Sequence, residues 1–119
     1  MASILYVEDE PVVMAGLTMS LEDAGHQVTT VSNGRRALAL IDGGLRPDLV
    51  ITDYMMPVMD GPALIRALRA RPEFRRVPIL LVSAVPEDQF LDDIGYDAYL
   101  AKPFLDRKVL ERVNALLQR

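Results

Sequence analysis

Five short apolar runs recur along this chain at regular intervals: Ile4 to Val7, Val28 to Val31, Leu49 to Thr52, Ile79 to Val82 and Ala98 to Leu100. Each is continuous rather than alternating. Strands of that kind are covered on both faces, as in a parallel sheet. The segments between them carry apolar residues at helical spacing. Met14, Leu17, Leu21 and Ala24 form one stripe, closed by Gly25; Ala37, Leu38 and Ile41 form a second, closed by Gly43 and Gly44. Leu64, Ile65 and Leu68 form a third, stopped before Pro72, and Leu105, Val109, Val113, Leu116 and Leu117 form the last. Strand and amphipathic helix in repeated alternation specify a doubly wound α/β domain with a five-stranded parallel sheet. No internal repeat or linker divides the chain, and 119 residues suit a single domain over 1–119.

Composition narrows the function. Half the residues are apolar and a quarter charged, with a net charge of -4, which disfavours direct, sequence-independent nucleic-acid binding. Cysteine is absent, so no disulfide framework or thiolate metal site can form. No apolar run approaches membrane-spanning length, and no basic region precedes the first one, so the expected compartment is the cytoplasm.

In an open parallel sheet, function gathers beyond the carboxyl ends of the strands. Glu8, Asp9 and Glu10 follow the first strand, Asp53 the third, Ser83 and Ala84 the fourth, and Lys102 and Pro103 the fifth. Each has an ordinary reading. Asp53 alone is a turn residue or a helix cap, and Glu8-Asp9-Glu10-Pro11 alone is a helix start. Lys102 alone is a solvated lysine. Together they are harder to dismiss, because carboxylates brought close repel one another and a divalent cation relieves the repulsion. Hard oxygen ligands without His or Cys suit Mg²⁺. Lys102 can pair with Asp53 or with a phosphate, Ser83 can donate to an anion held on Asp53, and the Lys102-Pro103 peptide is a candidate cis bond.

These motifs resemble the receiver domain of bacterial two-component response regulators. VEDEP at 7–11, DYMMPVMDG at 53–61, SA at 83–84 and KPF at 102–104 stand in the family's order and span essentially the whole chain. The resemblance implies a flavodoxin-like strand order 2-1-3-4-5 and a phosphoacceptor role for Asp53. It implies Mg²⁺ held by Glu8, Asp9, Asp53 and the main-chain carbonyl of Met55. Ser83 and Lys102 would contact the phosphoryl group, and Tyr99 matches the aromatic switch position. Met55 and Val85 stand at the two positions that gate water and so set the lifetime of the phosphorylated form. The implied partners are a sensor histidine kinase or a histidine phosphotransfer protein, and a downstream protein target.

The interval from Ser83 to Lys102 is about one helical turn shorter than the family's usual length. A shortened fourth helix must therefore fit within Pro86 to Ile94, with Phe90, Leu91 and Ile94 as its apolar anchors. A weakened output face predicts a monomer or weak dimer. Two rival readings stay open. One is a module of the same fold that takes no phosphate; the other is an aspartyl phosphatase, disfavoured because Met55 stands where such enzymes carry a second Asp. A flavin or nucleotide site is disfavoured because no Gly-rich loop follows the first strand. The arginines within residues 66–76 read as the solvated face of the third helix, His26 as a loop residue, and Met14, Met19 and Met59 as packing.

Overall fold

The computed structural model describes residues 2–90 and 94–119. Five strands, β1 Ser3–Val7, β2 Gln27–Val31, β3 Leu49–Asp53, β4 Ile79–Ser83 and β5 Ala98–Ala101, form one parallel sheet in the order β2-β1-β3-β4-β5. Four α-helices connect or follow them: α1 Pro11–Asp23, α2 Gly34–Asp42, α3 Gly61–Arg69 and α4 Asp106–Leu117.

The two faces of the sheet bury different halves of each apolar run, as the two-residue period of a strand requires. Leu5 and Val7 of β1 pack with Ala37 and Ile41 of α2 and with Leu64, Ile65 and Leu68 of α3. Ile4 and Tyr6 pack on the other face with Leu17 and Leu21 of α1 and Val109 and Val113 of α4. Each helix shows the sheet one stripe, and the central strands β1, β3 and β4 are buried on both faces, while the edge strands β2 and β5 are only partly covered.

The ends of the elements follow local chemistry. Asn33 accepts from the Arg36 amide and Asp60 from the Ala63 amide, capping α2 and α3. Gly61 has a further role. A Cβ there would stand 2.3 Å from the Asp53 carbonyl oxygen, so only glycine lets α3 start this close to the end of β3.

Some expectations are corrected. Leu105 precedes α4 instead of joining its stripe, and it is 60% exposed. Met19 is 66% exposed, on the outer side of α1, and is not a packing residue, whereas Met14 and Met59 do pack against the two cores. Arg69 is no solvated side chain: it donates to the carbonyls of Gly95, Phe74 and Val77 and pairs with Asp97 at 2.6 Å. Arg71 pairs with Asp42 at 2.9 Å. Between β4 and β5, the segment expected to hold a shortened helix contains one 3-10 turn, Glu87–Gln89, among the described residues. Glu87, Asp88 and Gln89 offer no apolar stripe to hold a longer helix on the sheet, and Phe90 is already extended. Leu91, one of the expected anchors, lies outside the described residues.

Candidate functional site

The register of the sheet brings the sequence candidates to one edge. Val7 pairs with Thr52, Asp53 with Val82, and Ser83 with Ala101. Glu8, Asp53, Ser83 and Lys102 therefore end neighbouring strands at nearly the same level. Glu8, Asp53 and Ser83 are buried, which is unusual for two acids unless they are paired.

Lys102 supplies that pairing. Its Nζ lies 3.0 Å from Glu8 Oε1, 3.2 Å from Asp53 Oδ2 and 4.0 Å from Glu10 Oε1. The Lys102 amide donates to the Ser83 carbonyl at 2.8 Å, and the Lys102-Pro103 peptide is cis. The remaining oxygens of the acids are also engaged. Asp53 Oδ1 accepts from the Tyr54 amide at 2.8 Å, and Glu8 Oε2 accepts from the Glu10 amide at 3.2 Å. The buried Tyr6 hydroxyl approaches Glu8 Oε1 at 3.5 Å.

The site is short of positive charge. Burial raises the Asp53 pKa, opposed by the charge and hydrogen bond of Lys102 and assisted by the nearby Asp9 charge. Burial likewise raises that of Glu8, opposed by its hydrogen bond from Lys102. Burial by itself would lower the Lys102 pKa; the hydrogen bond to Glu8 and the charge of Asp53 outweigh it and hold the ammonium above the usual lysine range. One cation thus meets three carboxylates, Glu8, Glu10 and Asp53, with that of Asp9 close by, and among the described residues Asp9 has no ion pair of its own.

That deficit is where a divalent ion fits. Carboxylate oxygens of Glu8, Asp9 and Glu10 can lie within 4.8 Å of one another, an all-oxygen set of the kind Mg²⁺ takes. Glu10 joins this group although the sequence reading gave it no ligand role. Met55 lies just beyond Asp53 on the β3–α3 loop, its side chain 67% exposed. The loop is strained at Val58, a β-branched residue at φ +71°.

Ser83 Oγ accepts from the Val85 amide at 2.8 Å, which leaves its proton free to donate toward the cleft. Tyr99 is already engaged on the far side: its hydroxyl donates to the Val85 carbonyl at 2.6 Å and lies 3.3 Å from that of Ser83. Sequence reasoning missed Tyr6 and Tyr54. A two-residue step from Glu8 places Tyr6 on the same strand face, and that was the available signal. The contact between Tyr54 and Phe90 gave none.

Comparison with known proteins agrees with this geometry. The family model described as the response regulator receiver domain matches residues 4–114. Transcriptional regulatory protein TcrA of Mycobacterium tuberculosis is 39% identical over 117 residues, covering 98% of this chain and 46% of TcrA. The chain spans about half the length of the curated relatives it matches. The signal receiver domain of a signal transduction histidine kinase from Syntrophus aciditrophicus superimposes with a TM-score of 0.92 at 36% identity, covering 99% of this chain and 91% of that one. Response regulator TrrA of Thermotoga maritima, solved in complex with Mg²⁺-BeF, superimposes with a TM-score of 0.86 at 31% identity, covering 98% and 99% of the two chains. The chain belongs to the response regulator receiver domain family, the receiver module of two-component signal transduction.

Proposed function

We propose that residues 1–119 act as one phosphoacceptor domain in which Asp53 takes a phosphoryl group from a histidine kinase or a histidine phosphotransfer protein. An Asp53 carboxylate oxygen attacks phosphorus, the phosphorus–nitrogen bond of the donor breaks, and the imidazole leaves with its electron pair and takes up a proton. The product is an acyl phosphate on Asp53. Lys102 is poised to transfer its contact from the free carboxylate to a phosphoryl oxygen, and the Ser83 hydroxyl to donate to another. Glu8, Asp9, Asp53 and the Met55 carbonyl would hold Mg²⁺, which supplies charge neutralisation at the phosphoryl oxygens. The observation that carries this reading is the Lys102 ammonium shared between buried Glu8 and Asp53 at 3.0 and 3.2 Å.

A groove of about 460 Å³ opens beside Lys102, walled by Val12, Val13, Leu17, Pro103 and Phe104. It offers an apolar seat for the phosphodonor next to the reactive edge. Phosphorylation then shifts the conformation that a downstream protein reads. The protein is a stoichiometric acceptor and not a turnover enzyme, works in the cytoplasm, binds no nucleic acid itself, and is a monomer or weak dimer. No described helix is long and apolar enough to cross a membrane.

Incubation with a small phosphodonor and Mg²⁺, followed by intact-mass measurement, tests this. One phosphoryl adduct should form. An adduct that persists in Asp53→Asn, or forms as well in EDTA, overturns the assignment.

A further inference from the structure

A cavity of about 770 Å³ lies away from Asp53, at the amino-terminal edge of the sheet. Asp48 on its rim and Asp53 bracket β3, which puts the two edges about 17 Å apart. A volume of this order suits a small ligand.

Its polar lining is unevenly satisfied. Asp97 is occupied: it accepts from the Ile79 amide at 2.8 Å and pairs with Arg69 at 2.6 Å and Arg119 at 3.5 Å. Asp48 accepts from the Ser3 amide at 2.8 Å. His26 Nδ1 accepts from the Ala2 amide at 3.2 Å, so the neutral ring carries its proton on Nε2, as a donor. Arg75 and Arg76 differ from the rest. Both line the cavity and are exposed, and neither guanidinium has an ion pair or hydrogen bond among the described residues. Other arginines of the same stretch act as struts, Arg69 on Asp97 and Arg71 on Asp42.

Two unpaired guanidinium groups beside a spare imidazole N–H form a forked donor set for a phosphate. The carboxyl end of α4 opposes an anion with about half a negative charge, less than the two full charges of the arginines. Pro78, Leu116 and Leu117 supply an apolar wall, and the free lone pairs of Asp48 can accept from ligand hydroxyls. Phosphate, hydroxyl donors and a flat apolar face together describe a mononucleotide better than a bare anion or an extended acidic peptide.

We infer that the cavity between Arg75, Arg76, His26 and the Leu116–Leu117 wall is a second ligand site, distinct from the Asp53 cleft, for a phosphate-bearing molecule of mononucleotide size. The test is titration of the 119-residue chain with AMP, without Mg²⁺, followed by amide chemical shifts. Saturable shifts are expected at His26, Arg75 to Val77 and Asp97, with a dissociation constant of about 1 mM or tighter. The Glu8, Asp53 and Lys102 amides should stay still. Adenosine, which lacks the phosphate, should give no saturable shift, and the R75Q/R76Q variant should bind at least about tenfold more weakly. The single variants R75Q and R76Q, each expected to weaken binding, decide the matter if the double variant fails to fold. Absence of saturation, shifts confined to the Asp53 cleft, undiminished binding in the variants, or binding of an acidic peptide where AMP does not bind would each overturn the inference.

Discussion

The rings of Tyr54 and Phe90 stack with centroids 5.0 Å apart and planes 16° from parallel. Tyr54 follows Asp53 directly, and its amide is the donor to Asp53 Oδ1. Phe90 closes the 3-10 turn after β4 and meets Tyr96 and Tyr99 edge-on, at 6.1 and 5.6 Å. Tyr96 in turn donates its hydroxyl to Glu87 at the start of that turn. One ring therefore ties the neighbour of the buried acid to the connection between β4 and β5.

Phe90→Ala should destabilise the domain by about 2 kcal/mol, part from lost burial of a partly buried ring and part from three aromatic contacts. Urea denaturation measures the loss. Amide exchange within 84–90 and 94–100 should quicken, and Phe90→Leu should restore part of the stability. If Phe90→Ala unfolds at the same urea concentration as the parent, the cluster holds nothing in place.

The positions of Glu8, Asp53, Ser83 and Lys102 were legible because each terminates an apolar run, and a parallel sheet brings such ends to one edge. The charge cluster of Glu8, Asp53 and Lys102 followed from residue type. The Tyr54–Phe90 stack was not legible: it joins two loops far apart in sequence, and loop contacts leave no periodic signal. Arg69 misled for a related reason. A helical wheel places it outward, but the turn after α3 folds back and presents the carbonyls of Phe74 and Val77 to its guanidinium. Leu105 fits the spacing of the α4 stripe, yet the helix starts only at Asp106, so periodicity ran one residue past the true boundary.

Val58 holds φ at +71°, a left-handed conformation that costs a β-branched residue on the order of 1 kcal/mol or more. Its side chain is exposed, so little packing offsets this. Val58→Asn should raise stability by about 0.5–1 kcal/mol, since Asn tolerates this region best after glycine. Thermal melts of the two proteins compare them directly. A lower melting temperature in Val58→Asn would show that the side chain, not the backbone, governs this position.

Burial raises the pKa of Asp53, so the folded protein binds more protons than the unfolded chain between the two values. Stability therefore falls as pH rises from the ordinary aspartate range through the folded pKa. Removing the charge should remove this loss. Asp53→Asn is expected to be more stable than the parent at pH 7, by on the order of 1 kcal/mol, and the advantage should shrink as pH falls and the parent's Asp53 takes up its proton. Lys102 gives the same downward slope at higher pH: its raised pKa adds stability that is fully present at pH 7 and is lost as pH rises from the ordinary lysine value through the folded one. Denaturation of both proteins in EDTA at pH 4 and pH 7 reads the difference, and an equal gap at the two values would refute the linkage.

The phosphorylated form should be long-lived, because neither Met55 nor Val85 carries a side chain that can orient a hydrolytic water. Loss of phosphate needs water placed in line behind the phosphorus, and placing it takes a side chain that hydrogen-bonds. Met55 and Val85 stand two residues beyond Asp53 and Ser83 in the sequence, and neither side chain can do so. The Val85 main chain is also committed, its amide to Ser83 Oγ and its carbonyl to the Tyr99 hydroxyl. Met55 is largely exposed and Val85 partly so, which lets both be replaced without disturbing the core. Met55→Asn and Val85→Glu should each speed decay of the phosphorylated protein, and the double variant should decay at least about tenfold faster, within the range one positioned proton acceptor supplies. The decay is followed by intact mass in Mg²⁺ after the donor is removed. Shielding by simple bulk makes a different forecast: Met55→Ala would then accelerate decay as much as Met55→Asn. A double variant no faster than the parent would move control of the lifetime elsewhere, to the carboxylates of Glu8 and Asp9 and the affinity with which they hold the cation.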